Sequence, residues 1–227
     1  MMLVKPWIDG GGDWSYVHSV WAHWQTWNSA VIALFASLLA VYVVRYQDEQ
    51  QRERKLMAAR ALLPAVLSDL STCIEKLAKF YLDTFSYWQL PDEGHDREDR
   101  PHPPFFEDDH IAEAFSKCME VAVPHEVKLL AKVLSMRQYI LARTSSEYND
   151  RSLVREELWR ANIQSQLLEL AEMRVYVGRL FDYGRELDRP LNVTPLNKEE
   201  VLTALWGLDI NEIDHADVYQ KLGRKYK

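Results

Sequence analysis

Trp24 to Val44 reads WQTWNSAVIALFASLLAVYVV and contains no charged residue. At about 1.5 Å of rise per residue, these 21 residues make a helix of roughly 31 Å, which matches the ~30 Å hydrocarbon core of a bilayer. The strictly apolar part, Ala30 to Val44, is 15 residues with Ser37 inside it, and alone it would also suit the core helix of a soluble domain. The flanks decide. Trp21, Trp24 and Trp27 recur every three residues on the amino-terminal side, and Tyr42 and Arg45 mark the other. Tryptophan and tyrosine favour the water–lipid boundary because their rings are apolar with one polar edge. The nine Leu, Ile, Phe and Val residues of the stretch contribute about −3 to −5 kcal/mol to insertion. The expectation is a transmembrane helix over 21–45.

Orientation follows from the basic residues. Lys5 alone precedes the span, whereas Arg45, Arg52, Arg54, Lys55 and Arg60 follow it closely. Positively charged flanks stay in the cytoplasm, so the amino terminus is expected outside and the chain from Arg45 onward inside. The stretch after Val44, RYQDEQ, is no signal-peptidase site, and no basic region precedes the apolar run, so a cleaved leader is not expected.

The 183 residues after Val44 are enough for one domain with a true core. The formal net charge is −7, and residues 91–110 alone contribute −6, so the domain lacks the basic face that nucleic-acid binding needs. Cys73 and Cys118 fit no metal or redox spacing and read as buried thiols. Residues 1–20, with Gly10-Gly11-Gly12, read as a short, flexible extracytoplasmic segment. No strand and no Gly-Lys-Ser/Thr ending accompany those glycines, so a phosphate loop is not expected.

Beyond the span, 46–60 reads as a charged juxtamembrane stalk. Leu56, Ala59, Leu63, Val66, Leu70, Cys73, Leu77 and Phe80 then step by three and four, with Leu67, Ile74 and Tyr81 widening the stripe. A stripe that wide is the buried face of a bundle helix. Pro64 inside it predicts a kink or break near Arg60 to Leu63. Further helices are expected over Ile111–Met119, from Pro124 to Leu141, and from about Ser152 to Leu187, with a turn at TSSEYND (144–150) between the last two. Gly178 and Gly184 read as close-packing positions. Asn197 and Glu200 form a capping box for a short helix stopped by Gly207, and Asn211 should begin a last helix carrying Ile213, Ala216, Tyr219 and Leu222. Its basic end, Lys221, Arg224, Lys225 and Lys227, suits a soluble carboxy terminus and, as an alternative, contact with anionic lipid. The fold class expected is all-α: an amino-terminal transmembrane helix followed by a cytoplasmic antiparallel helical bundle (61–190) and a carboxy-terminal helical pair (191–227).

Little in the chain points to chemistry. No nucleophile elbow, zincin motif, paired CxxC, phosphate loop or dinucleotide fingerprint is present. The acidic loop 91–110 holds His95, His102 and His110 among eight carboxylates, the residue types that bind metal, but without helical metal spacing. Glu156, Glu157, Glu169, Glu172 and His125 read as surface charges. No cofactor is expected. Within the span, Ser29, Ala33 and Ser37, with Ala36 and Ala40 nearby, form a small-residue face that lets two helix backbones approach closely.

At ALLPAVLSDL (61–70), RQYILAR (137–143) and AEMRVYVGRLFDYGR (171–185) the chain resembles a group of uncharacterised small bacterial single-pass inner-membrane proteins. The resemblance implies a bacterial inner-membrane setting and supplies no activity or site residues. The function expected is a non-catalytic, membrane-tethered interaction or scaffold module, self-associating and holding a cytoplasmic protein partner. Two alternatives stay open: a membrane-acting effector of a stress or phage-response system, and a metal-dependent enzyme using the His- and acid-rich loop.

Overall fold

A computed structural model describes residues 5–87, 89, 101–105, 109–149, 156–185 and 190–226. Among the described residues every regular element is an α-helix and there is no strand. The helices are α1 (Lys5–Asp9), α2 (Trp14–Tyr87), α3 (Asp109–Val121), α4 (Pro124–Asn149), α5 (Glu156–Arg185), α6 (Lys198–Trp206) and α7 (Ala216–Lys225). The chain divides into two compact units, Met1–Glu53 and Arg54–Lys227, with the boundary inside α2.

In the first unit, residues 5–13 are built by local rules. Gly12 N donates to Trp7 O and Gly11 N to Ile8 O, both at 3.2 Å, the paired bonds of a Schellman helix ending. The motif requires a left-handed residue at its first outside position, and Gly11 supplies it with φ +57°. Asp13 then caps α2: its carboxylate accepts from Ser15 N at 2.9 Å and its carbonyl from Val17 N at 3.1 Å. The turn brings the Trp7 ring edge-on to Trp14, with centroids 4.7 Å apart, and leaves Val17 fully buried. Within the segment read as short and flexible, residues 5–13 thus form a short helix with a closed ending.

The second unit has one apolar core. The α2 stripe from Leu63 to Tyr81 is buried against Ile111, Phe115 and Cys118 of α3, Leu130, Val133 and Ile140 of α4, and Ile163, Leu167, Leu170, Met173, Val177 and Leu180 of α5. Val201 and Leu205 of α6 and Val218 and Leu222 of α7 close the same core. Each fully buried Leu or Ile contributes about 1.5–3 kcal/mol. Pro64 stands inside α2 without interrupting it. The place it occupies is crowded: a Cβ added at Gly184 would lie 3.3 Å from Leu63 Cβ and 3.4 Å from Pro64 Cδ. Close packing on α5 accompanies the proline that local propensity alone would make a break. Gly178, by contrast, faces open space.

Two boundaries differ from the periodicity. TSSEYN continues α4 to Asn149 rather than turning, held by Thr144 Oγ1 on Ile140 O (2.8 Å), Tyr81 Oη on Thr144 Oγ1 (2.7 Å) and the Arg143–Glu147 pair (2.8 Å). The final helix begins at Ala216, because Asn211 and Asp214 bond each other side chain to side chain (2.7 Å) and side chain to backbone (2.9 Å), closing a turn instead. Ile213 is consequently 93% exposed, and Val218 and Leu222 are the buried residues. The Asn197–Glu200 capping box is present, with Glu200 N to Asn197 Oδ1 at 2.8 Å and Asn197 N to Glu200 Oε2 at 3.0 Å. α6 stops at Trp206 with Gly207 as its C-cap, as expected, and the left-handed residue of the turn that follows is Asp209 (φ 59°): Ile210 N reaches Leu205 O and Asp209 N reaches Trp206 O, both at 3.1 Å.

Candidate functional site: an uncovered apolar helix and a buried polar cluster

One helix among the described residues is long and apolar enough to cross a membrane, and it lies near the amino terminus. No part of its most apolar window is buried inside the protein. Ile32, Leu34, Phe35 and Val44 are each more than half exposed and lie on different sides of the helix, so no single face is covered. An apolar surface that continues all round a helix in water is costly, which is why such helices sit in large cores or in lipid. Trp24 and Trp27 are exposed, Trp21 is half-buried, and Tyr42 and Arg45 are exposed at the other end. Ser29, Ala33, Ala36, Ser37 and Ala40 are all exposed. Ser37 Oγ donates to Ala33 O at 2.8 Å, so the hydroxyl inside the apolar run is satisfied by its own helix.

The histidines of the acidic stretch go to separate partners. His110 Nε2 lies 3.2 Å from Asp69 Oδ2 on the surface, and His102 Nδ1 bonds the Tyr148 hydroxyl. His95 lies outside the described residues. Among the described residues no three His, Cys, Asp or Glu side chains stand together as a metal site would require.

The sequence reading missed a polar cluster inside the second unit. Arg60 is 7% exposed, and its guanidinium lies 3.9 Å from the centroid of the Tyr183 ring. Its Nε donates to the Tyr183 carbonyl at 2.9 Å, and Nη2 donates to the same oxygen. That carbonyl is among the last four of α5, which have no partner in their own helix, and the negative end of the helix dipole adds to the attraction. The Tyr183 hydroxyl donates to Glu126 Oε2 at 3.0 Å, and Glu126 also accepts from Val123 N at 3.2 Å, capping α4. Cys118 stands beside them. Burial first, and the Glu126 carboxylate second, push its thiol up to about 11, and burial pushes Tyr183 above its ordinary range. A thiol held protonated is a poor nucleophile and a poor metal ligand, so this arrangement serves packing and charge compensation. An arginine inside a run of charged stalk residues gives no sign in the sequence that it turns inward.

Two further charges read as surface groups are also committed. Glu172 is 7% exposed and accepts from Tyr226 Oη at 2.8 Å, with Lys225 Nζ at 2.6 Å. Glu169 is partly buried, and its carboxyl is raised by burial. His125 is exposed, as expected, and the side chains of Glu156 and Glu157 lie outside the description. In the basic end, Lys221 Nζ is held by Ala161 O (2.7 Å) and Ser165 Oγ (2.8 Å). Lys221 and Lys225 therefore brace α7 against α5.

A cleft of about 210 Å³ opens where Phe85, Gln164 and Leu167 meet His215, Ala216 and Asp217. Within it Gln164 Nε2 donates to Asp217 Oδ2 at 2.9 Å, and His215 packs edge-on against Phe85 at 5.2 Å. Burial holds His215 below its ordinary pKa, with Asp214 opposing. No family model matches the chain, and no curated protein or solved structure is significantly similar to it.

Proposed function

We propose that the chain is a single-pass membrane protein with its amino terminus outside and an antiparallel helical module in the bacterial cytoplasm, acting as a non-catalytic tether that gathers copies of itself and a protein partner at the membrane. The observation that carries this reading is the α2 segment Ala30–Val44, apolar on all sides and exposed throughout among the described residues. Lipid is the surrounding that removes that surface from water without a further protein layer. The small-residue face from Ser29 to Ala40 supports self-association, because it allows a second helix backbone to approach closely. The non-catalytic part of the reading is supported by the buried cluster, whose ionisable members are spent on capping helices α4 and α5.

Affinity purification of the full chain from its native membrane in mild detergent, followed by mass determination and protein identification, tests the proposal. A defined homo-oligomer or a stoichiometric protein partner is expected. A lone monomer that binds nothing would contradict it.

A further inference from the structure

Residues 5–20 fold back on themselves and expose an apolar surface that a water-borne tail would not carry. We propose that the α1–α2 hairpin, residues 5–21, is seated in the lipid headgroup layer at the amino-terminal end of the span, with Trp7, Ile8, Trp14 and Tyr16 inserted among the lipids. This rests on the membrane-spanning reading of α2 and extends the lipid contact beyond Trp21, Trp24 and Trp27.

Length is the first argument. From Arg45 back to Trp14 there are 31 helical steps, about 46 Å at 1.5 Å each, against about 40–45 Å for a bilayer with its headgroup layers. A common tilt of about 20° reduces the projection to about 44 Å. With Arg45 in one headgroup layer and Trp21 at the opposite hydrocarbon boundary, Trp14 stands seven steps, about 10 Å, beyond that boundary, at the outer edge of the opposite headgroup layer.

The second argument is the turn. Gly11 and Gly12 reverse the chain, so that Trp7 packs on Trp14 at 4.7 Å and Trp14 stands 6.4 Å from Trp21. Tyr16 covers Gly10, where an added Cβ would lie 2.5 Å from its ring. α1 is therefore folded onto the beginning of α2 instead of extending it outward.

The third is the surface this leaves. Ile8 is 70% exposed, Trp14 64%, Tyr16 46% and Trp7 39%, while the charged residues of the hairpin are only Lys5, Asp9 and Asp13. Aromatic rings with one polar edge are the side chains that favour the headgroup region. The backbone is prepared for a partly dehydrated setting too. The Schellman bonds and the Asp13 cap satisfy amides that would otherwise need water.

Site-directed spin labelling of the full chain in phosphatidylethanolamine–phosphatidylglycerol liposomes tests this. Labels go on Ile8→Cys, Leu34→Cys in the span and Gln51→Cys on the exposed surface; Cys73 and Cys118 are buried and stay unlabelled. Power saturation with oxygen and with a water-soluble nickel chelate reads the depth. The expected result is nickel accessibility at position 8 several-fold below position 51, and oxygen accessibility between positions 34 and 51. Gly11→Val, strained at φ +57°, should return position 8 toward the value at position 51. Equal nickel accessibility at positions 8 and 51, with position 34 shielded, would overturn the headgroup seat and leave the span standing. Nickel access at position 34 would overturn the span itself.

Discussion

Arg60→Met removes the cation from the buried cluster while keeping most of the side chain's aliphatic volume. The guanidinium donates twice to the Tyr183 carbonyl, and a hydrogen bond from a charged donor contributes about 1.5–3 kcal/mol. Its position 3.9 Å from the Tyr183 ring centroid adds up to about 2 kcal/mol at so enclosed a site, and the α5 dipole roughly 0.3–1 kcal/mol. These overlap, because one guanidinium makes them all, and methionine regains part of the packing. The expected loss is about 3 kcal/mol, or a fall in Tm of about 6–12 °C for a unit of this size. Urea unfolding of the full chain in detergent, followed by far-ultraviolet circular dichroism, measures it, with Arg54→Met as the exposed control at no more than about 0.5 kcal/mol. Arg60→Lys should fall between, since an ammonium keeps the charge without the planar pair of donors. A loss at Arg60→Met no larger than at Arg54→Met would refute the claim that this cluster holds the start of the α2 stripe against α5.

The two helical glycines of α5 should respond oppositely in the same assay. Gly178→Ala, facing open space, should stabilise by about 0.5–1 kcal/mol, whereas Gly184→Leu, driven into Leu63 and Pro64, should destabilise by about 1–3 kcal/mol. Asp209→Gly relieves a left-handed non-glycine residue at the end of α6 and should stabilise by about 0.5–1 kcal/mol, seen as a higher urea midpoint. His215 is held below its ordinary value of 6.5 by burial, so the folded chain takes up that proton less readily than the unfolded one. The stability it contributes is present above about pH 6.5 and is lost as pH falls through the folded value. The drop in urea midpoint between pH 7.5 and pH 5 should therefore shrink in His215→Gln; an unchanged drop would refute this assignment.

What was legible in the sequence was what repeats or what is local. The stripe from Leu63 to Tyr81 is visible because helical spacing and apolar character coincide over five turns, and it is buried along that length. Pro124 at the head of α4 and the Asn197–Glu200 box are short-range signals that depend on no distant partner. The Schellman ending of α1 was local too, but three glycines between aspartates read as freedom rather than as the two positive-φ positions at Gly11 and Gly12. Other features were set by partners distant in the chain. Thr144 continues a helix because Tyr81, 63 residues away, bonds its hydroxyl. Arg60 turns inward because the end of α5, 123 residues later, offers a bare carbonyl and an aromatic face. Glu172 looks like a surface charge until Tyr226 and Lys225 fold over it. In the candidate site, the apolar stretch of α2 and its aromatic flanks were evident from composition, whereas the buried cluster lay hidden among the charged residues around Arg60.

The central claim is that α2 crosses a membrane with the amino terminus outside. Single-cysteine labelling with an impermeant maleimide, in right-side-out and inverted vesicles washed with alkaline carbonate, tests it most directly, using Lys5→Cys and Gln51→Cys. Cys73 and Cys118 are buried and silent. The protein should stay in the carbonate-washed membrane, with position 5 labelled only in right-side-out vesicles and position 51 only in inverted ones. Release of the protein by carbonate, or labelling of both positions from the same side, would contradict the account.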